Sequence, residues 1–395
     1  YWFAENLKKS GFQPIIFCAN TFHDDREPIE LNGGLWKEEV VDDIPFVYVK
    51  TTRYAGNGFD RLLNMSLFYK NLFPVAKDYG ERKGKPDVIV ASSVHPLTLV
   101  AGIQVSRKFG VPCICEVRDL WPESLVAYGI IGRHNPLTRS LYIGEKWIYK
   151  NADAVVMTWP GGKQYIIDNG WHEEIQLEKV YHISNGVVLE AFDYNSIEYP
   201  VNDPDLGDPR FFKVVYAGSI RKVNNVGLIL DAAKVVRDKG YHNIRFLIYG
   251  TGTECNALVQ RCRIEGIENV IFKGSVHKKF IPSVLKQADV NILHNSSTSL
   301  DKYGQSQNKL FEYLAAGRCI VQTYTTKYSV LEKYQCGICV PSQEPECIAD
   351  AIIEAYNNKE LNQRLGVNAR KAASEFDFGV LTKKLIDVIE RATSN

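Results

Sequence analysis

The chain has 395 residues, 45% of them hydrophobic and 24% charged, with a formal net charge of +1 at pH 7. This length exceeds what one ordinary core accommodates, which predicts two domains of about 200 residues each. The composition is that of a soluble globular protein. The balanced charge excludes a general attraction to nucleic acid, so we expect no nucleic-acid partner.

The sequence does not indicate membrane spans or metal clusters. No apolar run reaches the ~18 residues of a spanning helix. The nine cysteines lie mostly in apolar, strand-like runs, which favours reduced thiols in a cytoplasmic protein over a disulfide framework. Cys336 and Cys339 have CxxC spacing, but no second pair follows at zinc spacing, so we expect no metal.

The first half opens with a predicted helix over 1–10, and strands over 14–18 and 46–50 follow it. An α/β domain normally begins with a strand and a short loop before its first helix. We therefore expect that a first strand and its loop are missing from this chain.

A predicted helix over 59–76 is amphipathic and lies within a basic stretch, residues 53–85, which contains seven Lys and Arg against three acidic residues. A basic amphipathic helix with aromatic residues is typical of an element that lies on an anionic membrane surface. An ordinary helix that faces a core explains the same pattern, and the sequence leaves both interpretations open.

Strands and helices alternate regularly from residue 87 to 183 and again from 212 to 340, and three amphipathic helices end the chain. Near-continuous apolar strands that alternate with helices predict an α/β fold with parallel, doubly wound sheets. The Pro-rich, acidic segment 196–210 is typical of a linker. We therefore predict an N-terminal domain over 1–200, against which 377–395 pack, and a C-terminal domain over 211–376.

Three strand-to-helix turns in the second half carry small residues and cations. Ligands of open α/β sheets bind at the carboxyl ends of the strands, where such turns lie. Small turns, helix N-termini and cations together bind diphosphate, which predicts a nucleotide-type ligand. The residues concerned are Gly218, Ser219, Arg221 and Lys222 in the first turn, Gly250 and Gly252 in the second, and Ser306, Gln307, Asn308 and Lys309 in the third.

The third turn leads into a helix that Ser306 is predicted to cap and Gly317 to end. Lys309 lies in its first turn, and Glu312 lies on the same flank. A cation beside helix N–H groups that are already positive suits a bound anion such as phosphate. A solvated Lys309–Glu312 pair explains the pattern equally well.

In the first half, the predicted strand over 111–117 runs directly into Arg118 and Asp119, with Glu123 nearby. An aspartate at a strand end is of the type that binds a sugar hydroxyl or takes a proton. A structural Arg118–Asp119 pair with a helix cap is the alternative. His95 also follows a strand and, with Glu123, is a candidate for the acceptor side, although a lone loop histidine is more often incidental.

Five segments together resemble the retaining glycosyltransferases of family 4. The resemblance is strongest to the bacterial branch that builds O-antigen, capsule and exopolysaccharide, including transferases of N-acetylated amino sugars such as N-acetylfucosamine. It implies the GT-B architecture, in which two Rossmann-like domains face a central cleft and the C-terminal helix crosses back to the first domain. The segments are RDLWPES (118–124), SNGV (184–187), AGSIRK (217–222), YGTG (249–252) and YGQSQNKLFEYLAAGR (303–318).

The resemblance also implies roles for residues that match the family's motifs. Glu312 matches the acid that holds the nucleotide ribose hydroxyls, and Lys222 matches the cation that binds the diphosphate. Residues 306–309 fall where the family meets the donor's phosphates and sugar. Val276 lies in the loop that reads the base, and Arg118 falls where many members have a histidine that contacts the donor sugar.

One position departs from the family. The first glutamate of its E-x7-E motif would be residue 304, which is Gly304 here. The family's contact to the donor sugar's hydroxyls is therefore not carried over, and a 6-deoxy or amino-sugar donor would account for the departure.

The function implied by the resemblance is a retaining glycosyltransferase without metal or other cofactor, which takes a sugar from a UDP-sugar to a lipid-linked saccharide. We expect it in the cytoplasm or on the cytoplasmic face of the inner membrane. The predicted catalytic residues are Arg118, Asp119, Lys222 and Lys309. Two alternatives remain, a nucleotide-sugar 2-epimerase of the same architecture and a non-catalytic scaffold that binds nucleotide-sugar.

Overall fold

The structure is a computed structural model that describes residues 1–22, 26–54, 56, 58–93 and 95–394. By internal contacts the chain divides into two units. The first comprises Tyr1–Ser184 and Leu381–Asn395, and the second comprises Asn185–Val380. Each unit is an α/β unit with its own sheets of mainly parallel strands, as the apolar alternation predicts.

The first unit contains two sheets among its described residues. One has the order β1-β3-β2 and the other the order β4-β5-β6-β7. All strand pairs are parallel except β2 with β3. Its strands are β1 (Ile16–Ala19), β2 (Trp36–Val41), β3 (Ile44–Val49), β4 (Ile89–Ser92), β5 (Cys113–Val117), β6 (Ala154–Met157) and β7 (Val180–His182). Its helices are α1 (Trp2–Lys9), α2 (Phe59–Lys83), α3 (Pro96–Phe109), α4 (Glu123–Ala127), α5 (Pro136–Asn151) and α6 (Gly162–Asp168).

The sequence did not predict β2. Its residues WKEEVV lack the apolar alternation of a half-buried strand, because β2 is an edge strand that covers no core of its own. A two-residue turn joins it to β3, and both turn residues, Asp42 and Asp43, have positive φ (49° and 60°). Turns of this kind match the twist of a hairpin, and aspartate tolerates them.

Helix α2, in the basic stretch, has a buried apolar face and an exposed apolar start. It continues past the predicted end at residue 76 to Lys83, with Pro74 inside it. Met65 and Phe68 are buried, as a core-facing helix requires, whereas Phe59 and Leu62 at its start are 77% and 60% exposed. Within the stretch 53–85, Ala55 and Asn57 lie outside the described residues.

The second unit contains one six-stranded sheet with the order β10-β9-β8-β11-β12-β13, and every pair in it is parallel. Alternate residues of β8 face two separate apolar cores, one on each side of the sheet. Its strands are β8 (Phe212–Ala217), β9 (Ile244–Tyr249), β10 (Val270–Gly274), β11 (Val290–Leu293), β12 (Cys319–Gln322) and β13 (Gly337–Cys339). Its helices are α7 (Leu189–Glu198), α8 (Pro204–Gly207), α9 (Gly227–Asp238), α10 (Cys255–Glu265), α11 (Ile281–Gln287), α12 (Asn308–Ala316), α13 (Val330–Tyr334), α14 (Pro345–Asn357) and α15 (Lys359–Ala373).

Residues 185–210 differ from the predicted domain end and linker. They form α7 and α8, which pack within the second unit, so that unit begins at Asn185 rather than after residue 200. Phe192 is 4% exposed, and Asp203 accepts hydrogen bonds from Lys273 and Tyr249, both at 2.7 Å. The prolines and acids of the segment therefore belong to short helices and partly buried ion pairs rather than to a flexible linker.

The last helix, α16 (Phe378–Thr393), belongs to the first unit from Leu381 onward. The chain leaves the second unit beside the point at which it enters, because Val187 forms a parallel bridge with Asp377. All nine cysteines are free. Within the described ranges, no helix is both long enough and apolar enough to cross a bilayer.

Candidate functional site

The predicted ligand edge of the second unit is formed by the carboxyl ends of parallel strands. Because β8, β9, β10, β11 and β12 run in the same direction, the turns that follow them lie along one edge. Helix α12 begins at this edge, with Asn308 as its first residue. The three predicted turns after β8, β9 and before α12 are therefore brought to one side of the sheet.

The turns after β8 and β9 are joined to each other by backbone hydrogen bonds. Ile220 N donates to Thr251 O at 2.9 Å, and Gly218 N donates to Tyr249 O at 3.0 Å. A Cβ on Gly250 would lie 1.8 Å from Gly218 O, and one on Gly252 would lie 2.2 Å from Ile220 O. These two glycines are required by the contact between the turns, which is a reason that the sequence alone did not reveal.

Two tyrosines that the sequence analysis did not select fix the end of β8. The hydroxyl of Tyr313, on α12, accepts from Ala217 N at 3.0 Å and lies 3.2 Å from Ala217 O, to which it donates. The hydroxyl of Tyr216 donates to Ser219 O at 2.9 Å. Helix α12 and the first turn are thus held in register. Both tyrosine side chains are buried, although each hydroxyl bonds to backbone atoms of the turn.

Lys309 has an unusual environment for a cation. Its Nζ donates to His294 O at 2.6 Å and lies 4.9 Å from the centroid of the Tyr216 ring. It forms no ion pair in the described part of the chain, so the predicted alternative of a Lys309–Glu312 pair is wrong. Burial lowers the pKa of Lys309 to about 7. The side chain is therefore a partly buried amine without a counter-charge.

Glu312 lies near Lys278 rather than near Lys309. Lys278 Nζ, in the turn after β10, lies 4.0 Å from Glu312 Oε1. Burial raises the pKa of Glu312, and Lys278 opposes that rise. The contact brings Glu312 to the loop that contains Val276, whereas Lys309 faces β8 and β11. The two charged residues of α12 thus serve different parts of the edge.

The residues just before α12 are arranged differently from the prediction. The N-cap is Gln307, and Ser306 does not cap the helix. Ser306 Oγ instead accepts from Asn185 N at 3.0 Å, and Ser306 O accepts from Asn185 Nδ2 at 2.6 Å. Gln307 Nε2 donates to Gln305 Oε1 at 2.6 Å, while its Oε1 is buried and has no hydrogen-bond partner among the described residues. Asn308 is exposed.

Gly304 has a φ of +89°, a conformation that favours glycine. It ends a short 3-10 turn over Ser299–Tyr303 that Thr298 and Asp301 close with a reciprocal capping box. Asp301 is buried and accepts from Ser297 Oγ at 2.7 Å. A glutamate side chain at position 304 would strain this backbone, so the local conformation suits the glycine that replaces the first glutamate of the E-x7-E motif.

Arg221 and Lys222 lie at the start of a 3-10 turn over Lys222–Asn224 after β8. Both side chains are exposed, and neither forms an ion pair within the ranges that the structure describes. Ser219 Oγ donates to Asn224 Oδ1 at 2.8 Å and closes the turn. The turn therefore adds two accessible cations to the same edge as Lys309.

Four predicted residues lie in the first unit. Arg118 and Asp119 follow β5 and are exposed. No salt bridge joins them in the described structure, but the charge of Arg118 opposes the rise that burial causes in the pKa of Asp119, so the alternative of a structural pair stays open. The Arg118 backbone is held firmly. Its N–H donates to Ser93 Oγ at 3.0 Å, and its carbonyl accepts from Trp159 Nε1 at 3.0 Å.

The two acceptor-side candidates are both buried. Glu123 accepts from Arg133 Nη1 at 3.2 Å and from the Tyr142 hydroxyl, so its carboxylate is already satisfied inside the unit. His95 caps the start of α3, and burial lowers its pKa to about 4, with Arg61 adding to the effect. His95 Nδ1 has no hydrogen-bond partner among the described residues. Neither side chain presents a charge at the surface in this conformation.

No group of three or more His, Cys, Asp or Glu side chains is arranged to hold a metal ion in the part of the chain that the structure covers. The charged groups that the sequence predicted at the edge of the second unit are Arg221, Lys222, Lys309 and Glu312. Cations bind anions, and a carboxylate accepts hydrogen bonds from hydroxyl groups.

Solved structures share the fold of the whole chain. A sucrose-phosphate synthase from Thermosynechococcus elongatus superposes with a TM-score of 0.72 at 17% identity, covering 99% of this chain and 92% of that one. The Anabaena protein HepE in complex with UDP and glucose superposes with a TM-score of 0.65 at 15% identity, covering 88% and 86%. Identities this low establish a shared fold alone.

Two family models match, one in each half. The model described as "Glycosyl transferase 4-like domain" matches residues 1–178, and the model described as "Glycosyl transferases group 1" matches residues 212–358. The chain belongs to these glycosyltransferase families, and its fold is GT-B. A similar curated relative is the phosphatidyl-myo-inositol mannosyltransferase of Mycobacterium leprae, 25% identical over 239 residues, which are 57% of this chain and 62% of the relative.

Proposed function

We propose that this glycosyltransferase takes a sugar from a UDP-sugar and transfers it, with retention of configuration, to a lipid-linked saccharide in surface polysaccharide synthesis. The main support for binding of the donor is the environment of Lys309, a partly buried amine whose neighbours are a carbonyl and an aromatic ring. A buried cation is stable only with a compensating partner. A diphosphate at the carboxyl edge of the sheet supplies that partner.

The other groups at the edge suit the remaining parts of a nucleotide-sugar. The exposed Arg221 and Lys222 lie on the turn after β8 and add positive charge for the diphosphate. Glu312 lies toward the loop of Val276, where a carboxylate can accept from both ribose hydroxyls while the loop contacts the base. A nucleotide that lies along α12 therefore meets the acid at one end and the cations at the other.

Transfer breaks the bond between the anomeric carbon and a diphosphate oxygen, which leaves negative charge on UDP. Fixed cations stabilise that charge as it develops. We propose that Lys309 and Lys222 do this without a metal ion, and that Arg118 and Asp119 contact the sugar. A chelator should leave turnover unchanged. A loss that Mg²⁺ restores would refute the metal-free mechanism.

The donor experiment is calorimetry with UDP, GDP and dTDP, followed by analysis of the product formed from UDP-sugars and a lipid-linked acceptor. Tightest binding of UDP and a product that keeps the donor's anomeric configuration are expected. An N-acetylated amino sugar or a deoxy sugar is the proposed cargo, because Gly304 supplies no carboxylate. Epimerised sugar after incubation with UDP-sugar alone would instead identify the 2-epimerase, and binding without turnover would identify the scaffold.

The lipid-linked acceptor implies contact with a membrane surface, and we assign that contact to the start of α2. Phe59, Leu62 and Leu63 are 77%, 60% and 40% exposed there, and Lys70 is exposed two turns further along. Apolar residues beside cations bind anionic bilayers. The protein would then act on the cytoplasmic face of the inner membrane.

Co-sedimentation with vesicles of phosphatidylglycerol and phosphatidylcholine tests this contact. The F59S/L62S double variant should lose binding, whereas I264S should not, although Ile264 on α10 is also 77% exposed. Equal binding of both variants, or no binding of the unmodified protein, would contradict the assignment.

A further inference from the structure

His294 follows β11 directly and is fully buried at the ligand edge. Its Nε2 lies 2.9 Å from Asn225 O, and its Nδ1 lies 2.6 Å from Thr323 Oγ1. A carbonyl oxygen only accepts hydrogen bonds, so Nε2 carries the proton and Nδ1 accepts from the threonine hydroxyl. Burial lowers the pKa of His294 to about 4, so the ring is neutral near pH 7.

The imidazole connects the turn after β8 with β11 and with the end of β12. Asn225 ends the 3-10 turn that starts at Lys222, and its N–H donates to Lys222 O at 3.1 Å. Thr323 follows β12 and donates its own N–H to Leu293 O at 3.1 Å. One side chain therefore fixes the turn that carries Arg221 and Lys222 against two neighbouring strands.

The backbone of the same residue holds the third cation. His294 O accepts from Lys309 Nζ at 2.6 Å. One path from Lys222 to Lys309 thus runs through Asn225, the imidazole ring and the carbonyl of a single residue. Ser296 N, which donates to Val223 O at 3.2 Å, connects the same turn to the segment after β11 by a second route. A change in that ring would move the cations of the β8 turn relative to the cation of α12.

We propose that His294 is a positioning residue that sets the spacing between Lys222 and Lys309 for the donor diphosphate. The ring itself is fully buried, so it touches no ligand and acts through the two lysines. This inference rests on the proposed binding of a nucleotide-sugar at this edge. A buried histidine that served stability alone would show the same hydrogen bonds but would not govern affinity for diphosphate.

Two substitutions separate the two hydrogen bonds of the ring. In H294Q, the amide nitrogen reaches the place of Nε2 and donates to Asn225 O. In H294N, the shorter amide reaches only the place of Nδ1, so the contact to Asn225 is lost. A third variant, T323V, removes the hydroxyl that holds Nδ1 as an acceptor and keeps the shape of the side chain.

The test measures the Kd of UDP by calorimetry and the KM and kcat for the UDP-sugar, together with the melting temperature. We expect H294N to raise Kd and KM by about tenfold, because the loss of one hydrogen bond changes a binding constant by about that factor. The change in kcat should be smaller. H294Q should stay within about threefold of the unmodified protein, and T323V should fall between them. I352A, which truncates a fully buried core residue of α14, is the control for lost stability.

The outcomes are distinct. H294N or T323V with an unchanged Kd, at a melting temperature matched by I352A, would reduce His294 to a structural residue while leaving the proposed function intact. A loss of affinity in H294Q as large as that in H294N would show that the hydrogen bond to Asn225 O does not set the spacing, which would overturn the proposed route. No binding of UDP by the unmodified protein would overturn the proposed donor site and the positioning role together.

Discussion

Lys309 makes donor binding depend on pH. Its pKa of about 7 in the free protein means that the ammonium is present below pH 7 and is lost as pH rises through that value. A bound diphosphate favours the charged form and raises the pKa again. Between the two pKa values the complex therefore holds one more proton than the free protein, and affinity falls as pH rises.

The magnitude follows from the charged fraction of the amine. Each pH unit above the pKa of the free protein reduces affinity about tenfold, which corresponds to about 1.4 kcal/mol. For the pKa of Lys309, the charged fraction falls roughly 20-fold between pH 6.5 and 8.5. His294 contributes nothing over this range, because burial keeps its pKa near 4.

UDP-N-acetylglucosamine is the appropriate probe, because it belongs to the proposed donor class and both phosphates of its diphosphate diester stay ionised across this range. Calorimetry from pH 6.5 to 8.5 should show the roughly 20-fold loss, and titrations near pH 7.5 in buffers of different ionisation enthalpy should show uptake of about 0.8 proton. K309M should bind weakly and without proton uptake. The exposed Lys302 provides the control variant K302M, which should keep the unmodified pH profile. Affinity that is flat with pH in the unmodified protein would refute the assignment of the buried amine to the diphosphate.

Two further predictions concern the acid and the turns of the edge. E312A should weaken UDP binding by about 1–3 kcal/mol through loss of a charge-assisted hydrogen bond to the ribose, while affinity for inorganic diphosphate stays the same; equal losses for both ligands in calorimetry would contradict the ribose role. G250A should lower the melting temperature strongly, because the added Cβ would lie 1.8 Å from Gly218 O. The control variant G144A in α5 should not lower it, because nothing lies within 4 Å of a Cβ at that position. A tolerated G250A would show that the two turns are not in the tight contact described.

The alternation of apolar strands and helices was sufficient to predict the α/β fold and its parallel sheets. It failed where polar sequence forms regular structure. Strand β2 lies at an edge and packs Trp36 against the core, and α7 and α8 bury Phe192 and Leu206 within a polar, Pro-rich sequence. Hydrophobic periodicity is detectable where several residues of one face are apolar, so elements that bury only one or two apolar residues are missed.

The candidate site shows the same limit. The turns around Gly218 and Gly250 and the helix with Lys309 were predicted from small residues and cations at strand ends. The contacts that hold them were not, because Tyr313 and His294 bond to backbone atoms of residues 96 and 69 positions away in the chain. Ser306 has the residue type of an N-cap, but its hydroxyl is engaged by Asn185, which only the fold brings near.

The partly buried Lys309 also connects stability with ligand binding. Its folded-state pKa is depressed from the usual value to about 7, so below pH 7 the folded protein carries the full penalty of a desolvated charge, and that penalty is relieved as pH rises above 7. The arrangement persists because Tyr313 and His294 fix α12 and the neighbouring turns independently of the charge. A bound diphosphate offsets this penalty, which is greatest below pH 7. UDP-N-acetylglucosamine at one fixed concentration should therefore raise the melting temperature more at pH 6.5 than at pH 8.5, and K309M should lose most of that difference. A larger rise at the higher pH would contradict the link between the buried amine and the ligand.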